Sequence, residues 1–265
     1  MIFPLFKKNM VSMIKPFIIL YGVICMYTIV IIYMFNPELA AMLEDYQKAL
    51  PEMMAACGMT GIATNLIEWI QIYLYGMIMH VFPLILALIM GNSLLMKYID
   101  TGAIANLLAT PHTRKGLIAN QLVSGNLIMA LLFAVVTVTG IVTCEVLFPG
   151  ELDITRYCQL NAACLLLQLV ILGIAFLAAC VSSDSKTYFA FGAGIPIGFF
   201  LLMMISNMGG DVENLKYATI YTLFPAEKIV TGESGFGGSL IALAVVYLVL
   251  HITAAVWFTK RDLSV

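Results

Sequence analysis

Six stretches of this chain, at residues 17–35, 67–96, 117–148, 160–181, 188–206 and 238–258, run for nearly twenty residues or more with almost no charge. A helix needs about 20 apolar residues to cross the hydrocarbon of a bilayer. Backbone N–H and C=O groups cannot stay unpaired in lipid, so each stretch is predicted to be helical. Hydrophobic residues make up 62% of the chain and charged ones 11%, against about 45–50% and about 25% in soluble domains. A soluble fold of that composition leaves apolar surface in water; a bilayer covers it. The predicted fold is an all-α membrane protein, with residues 1–265 forming a single transmembrane domain.

The second and third stretches exceed the usual span, which predicts tilt, kinking or extension beyond the membrane. Pro83, and the cluster Gly192, Gly194, Pro196 and Gly198, mark the expected kinks or unwound turns. Lysine and arginine concentrate in cytoplasmic loops. With the N-terminus inside, Lys7, Lys8, Lys15, Lys97, Arg114, Lys115, Lys186, Lys260 and Arg261 fall on the cytoplasmic side, and only Lys48, Arg156, Lys216 and Lys228 outside. Six spans then return the C-terminus to the cytoplasm. The first apolar stretch is too long for a signal-peptide core and is expected to stay as a span. Ahead of it, Phe3, Phe6, Met10, Met13 and Ile14 recur at helical spacing opposite Lys7, Lys8 and Lys15. They read as a short helix lying in the interface, or as a positive flank to the first span.

Between the spans, the external segment 36–66 is acidic and holds an apolar-periodic piece at 39–54, expected to be a helix on the outer surface. A second external segment, 207–237, carries the apolar run TIYTLFP at 219–225, which suits a re-entrant hairpin better than a free loop.

No catalytic motif is present. The phosphate-binding P-loop needs Gly-Lys followed by Ser or Thr, and this chain has no Gly-Lys pair. The histidines His80, His112 and His251 lack metal-ligand spacing, and the six cysteines are scattered singly. Cys57 and Cys158 share the external side and either pair or stay free. No metal and no enzymatic centre is expected on the chain. Polar residues within spans are costly and face protein or water, so Glu68, Gln71, His80, Asn126 and Gln168 are candidates for a translocation path, or else for interhelical hydrogen bonds.

The polar segment 98–124, YIDTGAIANLLATPHTRKGLIANQLVS, interrupts the apolar bulk. Ile99, Ala103, Leu107 and Leu108 fall near one helical face, and Thr110 followed by Pro111 reads as a cap restarting the third span. The segment is therefore predicted to hold a short amphipathic helix across the cytoplasmic surface.

The run from Asp100 to Arg114, DTGAIANLLATPHTR, resembles the signature of ATP-binding-cassette permeases of the type-2 export superfamily. The ending FTKRDL at 258–263 resembles the usual end of that family, and the order of six spans, interfacial N-terminal helix and external apolar hairpin is similar across the chain. Asp100 stands where Glu is more usual, and Gln121 where Lys is frequent, which bears on the charges at the docking surface.

The resemblance implies a plasma-membrane protein of bacterial type that is the permease subunit of an exporter. It would pair with a second permease subunit, identical or paralogous, and with a separate ATPase subunit carrying ATP and Mg; the chain would bind no cofactor and no nucleic acid. Tyr98, Asp100, Gly102, Leu107, Leu108, Pro111 and Arg114 would form the helix that couples the ATPase to transport. Two alternatives stand beside it: an ion-gradient-driven secondary transporter or channel, and a non-transporting membrane protein. The scarcity of charge in the spans favours a hydrophobic or amphipathic substrate.

Overall fold

A computed structural model describes residues 2–36, 39, 42–43, 48–59, 61, 63–108 and 113–261, without the side chains of Asn106 and Leu108. The described residues are all-helical, with no strand among them. In order they form α1 (Phe3–Tyr33), α2 (Pro51–Ala56), α3 (Leu66–Tyr75), α4 (Ile78–Gly91), a π-helical turn (Asn92–Met96), α5 (Lys97–Asp100), α6 (Ile104–Leu108), α7 (Arg114–Leu147), α8 (Ile154–Val181), α9 (Ser185–Gly192), α10 (Gly194–Asn207), α11 (Ala226–Thr231) and α12 (Gly237–Lys260). Two 3-10 turns, Gly210–Ala218 and Ile220–Leu223, lie between α10 and α11. Six helices are long and apolar enough to cross a membrane: Phe3–Tyr33, Ile78–Asp100, Arg114–Leu147, Ile154–Val181, Ser185–Asn207 and Gly237–Lys260.

A helix that is apolar all round has to be buried in protein or lipid. α8 takes the first course: 72% of its most apolar stretch is buried inside the protein, against 17% in Ser185–Asn207 and in Gly237–Lys260. It packs against α4, α7 and α12 and forms the axis of the bundle. The others present apolar side chains outward, among them Ile18, Ile19, Leu201, Ile241 and Val249.

α1 corrects the expectation of a separate interfacial helix. It runs unbroken through Pro16, with Leu5, Asn9, Met13, Leu20, Ile24, Thr28 and Ile32 buried along one side. The physical reason lies in α7. Asn9 Nδ2 donates to Gln121 Oε1 (2.5 Å) and Ser124 Oγ (3.0 Å), and the Ile2 N–H donates to Asn120 Oδ1 (3.2 Å). These bonds draw the first turns alongside α7, and the stripe continues directly into the span.

The second span also departs from expectation. The predicted stretch 67–96 is broken at Gly76–Met77, which leaves α3 outside the membrane-crossing helix Ile78–Asp100, and α4 continues through Pro83. At the break the backbones of Gly58 and Gly76 meet: a Cβ on Gly58, whose φ is +73°, would lie 2.8 Å from Gly76 O, and one on Gly76 would lie 2.9 Å from Gly58 O. Only glycine fits both positions. Pro83 has no N–H to give the Met79 carbonyl one turn back. Gln168 Nε2 supplies it (3.1 Å), with Cys164 Sγ at 3.7 Å, so α8 repairs the ladder from outside. The fifth span does break within its glycine–proline cluster, at Ala193.

Of the predicted helix at 39–54 only part lies among the described residues; residues 39, 42–43 and 48–49 are helical there, and α2 begins at Pro51. The TIYTLFP run is folded onto the bundle. Tyr221 is buried, and Thr219 Oγ1 donates to Phe199 O (3.0 Å). Arg156 Nη1 on α8 then donates to Val230 O (2.8 Å), holding α11 in place. At the opposite end, contacts from Ile2 to Asn120, Lys8 to Tyr98 and Arg114 to Arg261 gather both chain ends beside the polar segment.

Candidate functional site

The polar segment begins as a continuation of the second span. α5 stops when Thr101 turns back on Lys97: its N–H (3.2 Å) and its hydroxyl (2.7 Å) both donate to Lys97 O. Gly102 follows with φ +68°, a left-handed conformation that reverses the chain without the penalty a Cβ would bring. No atom of the described residues lies within 4 Å of where that Cβ would sit, so among them a substitution meets strain rather than a clash. α6 then lies back on the bundle through buried Ile104 and half-buried Leu107. The side chain of Leu108, and residues 109–112 with Pro111, are outside the described residues. The next described helix starts later than the expected cap at Thr110: α7 begins at Arg114, with Thr113 Oγ1 accepting the Gly116 N–H (3.1 Å).

Each end of the segment is tied to a different part of the chain. Asp100 Oδ2 accepts from the Ser185 hydroxyl (2.7 Å) and Oδ1 from the Ser185 N–H (3.4 Å), at the start of α9. Beside it Asp184 caps α9, accepting from the Thr187 N–H and hydroxyl (2.9 Å each), which hold its carboxyl below the ordinary value. Arg114 Nη1 donates to Arg261 O (2.7 Å). Arg261 in turn donates from Nη1 to Cys180 O and Ser182 O and from Nη2 to Ser183 Oγ, each at 2.7 Å. Tyr98 lies under Lys8 Nζ, 5.1 Å from the ring centre. Residues 98–101 and 114, loop 182–185 and Arg261 at the C-terminal end of α12 thus form one hydrogen-bonded platform. In the sequence Arg261 is visible only as a positive charge in the terminal motif; its fork of bonds needs the fold.

The five predicted path residues do not form one continuous path, and Glu68 and Gln71 lie on α3, outside the six membrane-crossing helices. Glu68 and Gln71 line an open cleft of about 270 Å³, together with Thr64, Ile72, Glu227 and Val230, at the end opposite the platform. Asn65 caps α3, its Oδ1 accepting the Glu68 N–H (2.9 Å), and the Glu68 carboxylate reaches back to accept from the Thr64 N–H and hydroxyl (2.7 Å each) and from Asn65 Nδ2 (2.9 Å). Burial pushes the Glu68 carboxyl up, but these bonds outweigh it and hold it below the ordinary value. Asn65 three residues ahead of Glu68 before an apolar run is a capping-box pattern, a signal legible in the sequence. His80 and Gln168 meet deep between α4 and α8, where Gln168 Nε2 also reaches His80 O (3.2 Å). Asn126 is half-buried on α7, and no hydrogen bond joins it to either group among the described residues.

All six cysteines are free, Cys57 half-buried and Cys158 exposed. Among the described residues, no three of His, Cys, Asp and Glu gather to hold a metal ion. Six apolar helices and a polar platform at one end make this a multi-pass helical membrane protein. No protein-family model matches the chain, and no curated protein matches it.

Proposed function

We propose that the chain is the membrane-spanning subunit of an ATP-driven exporter, coupled through the platform to a separate ATPase subunit that carries ATP and Mg. It works beside a second permease subunit, with both termini in the cytoplasm of a bacterial-type plasma membrane. The observation that carries this reading is the way the polar segment is tied down: Asp100 to Ser185, and Arg114 through Arg261 to Ser182 and Ser183. A loop that merely joins two spans needs no such bonds. A lever does, because a push on α5 and α6 has to reach α4, α8, α9 and α12 together. Tyr98 and Leu107 give the lever its inward face, Gly102 its bend, and Asp100 and Arg114 its two anchors. ATP-driven closure of the ATPase pair then shifts the spans, and Glu68 and Gln71 stand at the outer mouth of the route. The folded-in TIYTLFP segment forms the outer re-entrant gate.

Co-purification with the ATPase and reconstitution in proteoliposomes test the reading. Substitution of Gly102, Leu107 or Arg114 is expected to abolish ATP-dependent export while leaving membrane insertion intact. Unchanged coupling in all three variants overturns the assignment of the lever. Transport by this chain alone on an ion gradient establishes the secondary-transporter alternative instead.

A further inference from the structure

Where α3 breaks into α4, a polar seam lies between that break, one face of α8 and the Ile220–Leu223 turn. Tyr157, Asn161, Cys164 and Gln168 follow each other on α8 at spacings of four, three and four, one helical face. Tyr75 approaches Tyr157, Asn161 and Cys164 from α3, and Tyr221 approaches Cys164 from the turn. The His80 and Tyr221 rings stand 5.1 Å apart, edge to face.

Six side chains here, Tyr75, His80, Tyr157, Asn161, Gln168 and Tyr221, are each at most 4% exposed. Each also carries an N or O atom with no hydrogen-bond partner among the described residues: three hydroxyls, two amide oxygens and one imidazole nitrogen. Tyr75, Tyr157 and Asn161 lie within hydrogen-bonding reach of one another, but these contacts fall short of full hydrogen-bond geometry. Elsewhere in the core a buried tyrosine of the same kind is satisfied: Tyr188 donates to Leu88 O (2.7 Å). Buried polar groups in folded proteins find a partner in protein or ordered water, because leaving them bare is costly. About two waters making about three hydrogen bonds each would meet six such atoms.

We propose that this seam is an internal hydration site, which binds ordered water between the Gly76–Met77 break and α8. Water in this position gives α3, α4 and the Ile220–Leu223 turn partners that exchange as the helices shift, which fixed side-chain bonds do not. The site lies where the predicted stretch 67–96 breaks at Gly76–Met77. It stands independently of the transport reading, since it is tested on the purified chain alone.

X-ray hydroxyl-radical footprinting tests it on the full-length protein in nanodiscs, because bound water generates radicals where it sits. Met79, Tyr75 and Tyr157 are expected to oxidise several-fold faster than Met90 and Tyr188, which are equally buried but lie outside the seam. Asn161→Leu is expected to bring Tyr75 and Tyr157 down towards the Tyr188 rate while leaving Met90 unchanged. Where that variant does not fold, Tyr157→Phe, with Met79 and Tyr75 as readouts, serves in its place. Met79, Tyr75 and Tyr157 oxidising no faster than the two controls in the wild-type protein overturns the proposal and makes the seam dry.

Discussion

Arg261 holds two carbonyls and one hydroxyl on the 180–183 stretch while its own carbonyl receives Arg114. Hydrogen bonds from a charged group are worth about 1.5–3 kcal/mol each where buried, and far less where water competes. For this half-buried fork, Arg261→Ala is expected to cost about 2 kcal/mol, read as a lower thermal midpoint in detergent. Arg261→Lys is expected to recover only part, because an ammonium lacks the planar fork. Glu68 makes a pH prediction. Its folded pKa is depressed, so the stability it adds is complete above its ordinary value of 4.5 and is lost as pH falls through the lower folded value. The difference in midpoint between wild type and Glu68→Gln is expected to hold steady from pH 8 to 6 and to narrow below 4.5. At this scale the sequence showed Glu68 as a costly polar residue beside a span. That it is consumed by a cap depends on Asn65 and Thr64 turning towards it.

Among the elements, α4 and α8 depend on each other through a single missing N–H. Pro83 orphans Met79 O, and Gln168 fills the gap across the helix interface. Interhelical hydrogen bonds in membranes average about 0.6 kcal/mol, whereas an orphaned buried acceptor costs about 1–3 kcal/mol. Gln168→Leu is therefore expected to destabilise by about 1 kcal/mol. Adding Pro83→Ala, which restores the in-helix donor, is expected to return much of that loss. A double-mutant cycle by thermal unfolding reads the coupling, and strict additivity refutes it. The sequence marked Pro83 as a kink and Gln168 as a path residue, but not that one answers the other. It also placed the break at Pro83 rather than Gly76, because the contact that requires glycine comes from Gly58, far away along the chain. In the same way the periodicity of residues 3–14 did not reveal that Asn9 bonds to α7.

Over the whole molecule, two surfaces divide the work: an apolar girdle on α1, α10 and α12, and polar ends carrying the platform and the cleft. The proposed orientation is tested by single cysteines in a cysteine-free background. With an impermeant maleimide on intact cells, Glu151→Cys is expected to label, and Lys186→Cys only after permeabilisation; both positions are exposed. The reverse pattern inverts the topology. The amino-acid sequence by itself determined the helical membrane class, the six crossings and the site of the polar segment, because length, apolarity and charge spacing are local properties read one residue at a time. Only the tertiary structure decided which polar groups meet: Asp100 with Ser185, Arg114 with Arg261, Gln168 with Met79, and the tyrosines of the seam. Those partners are brought together by helix packing, and in a chain so poor in charge no local pattern says which of them will pair.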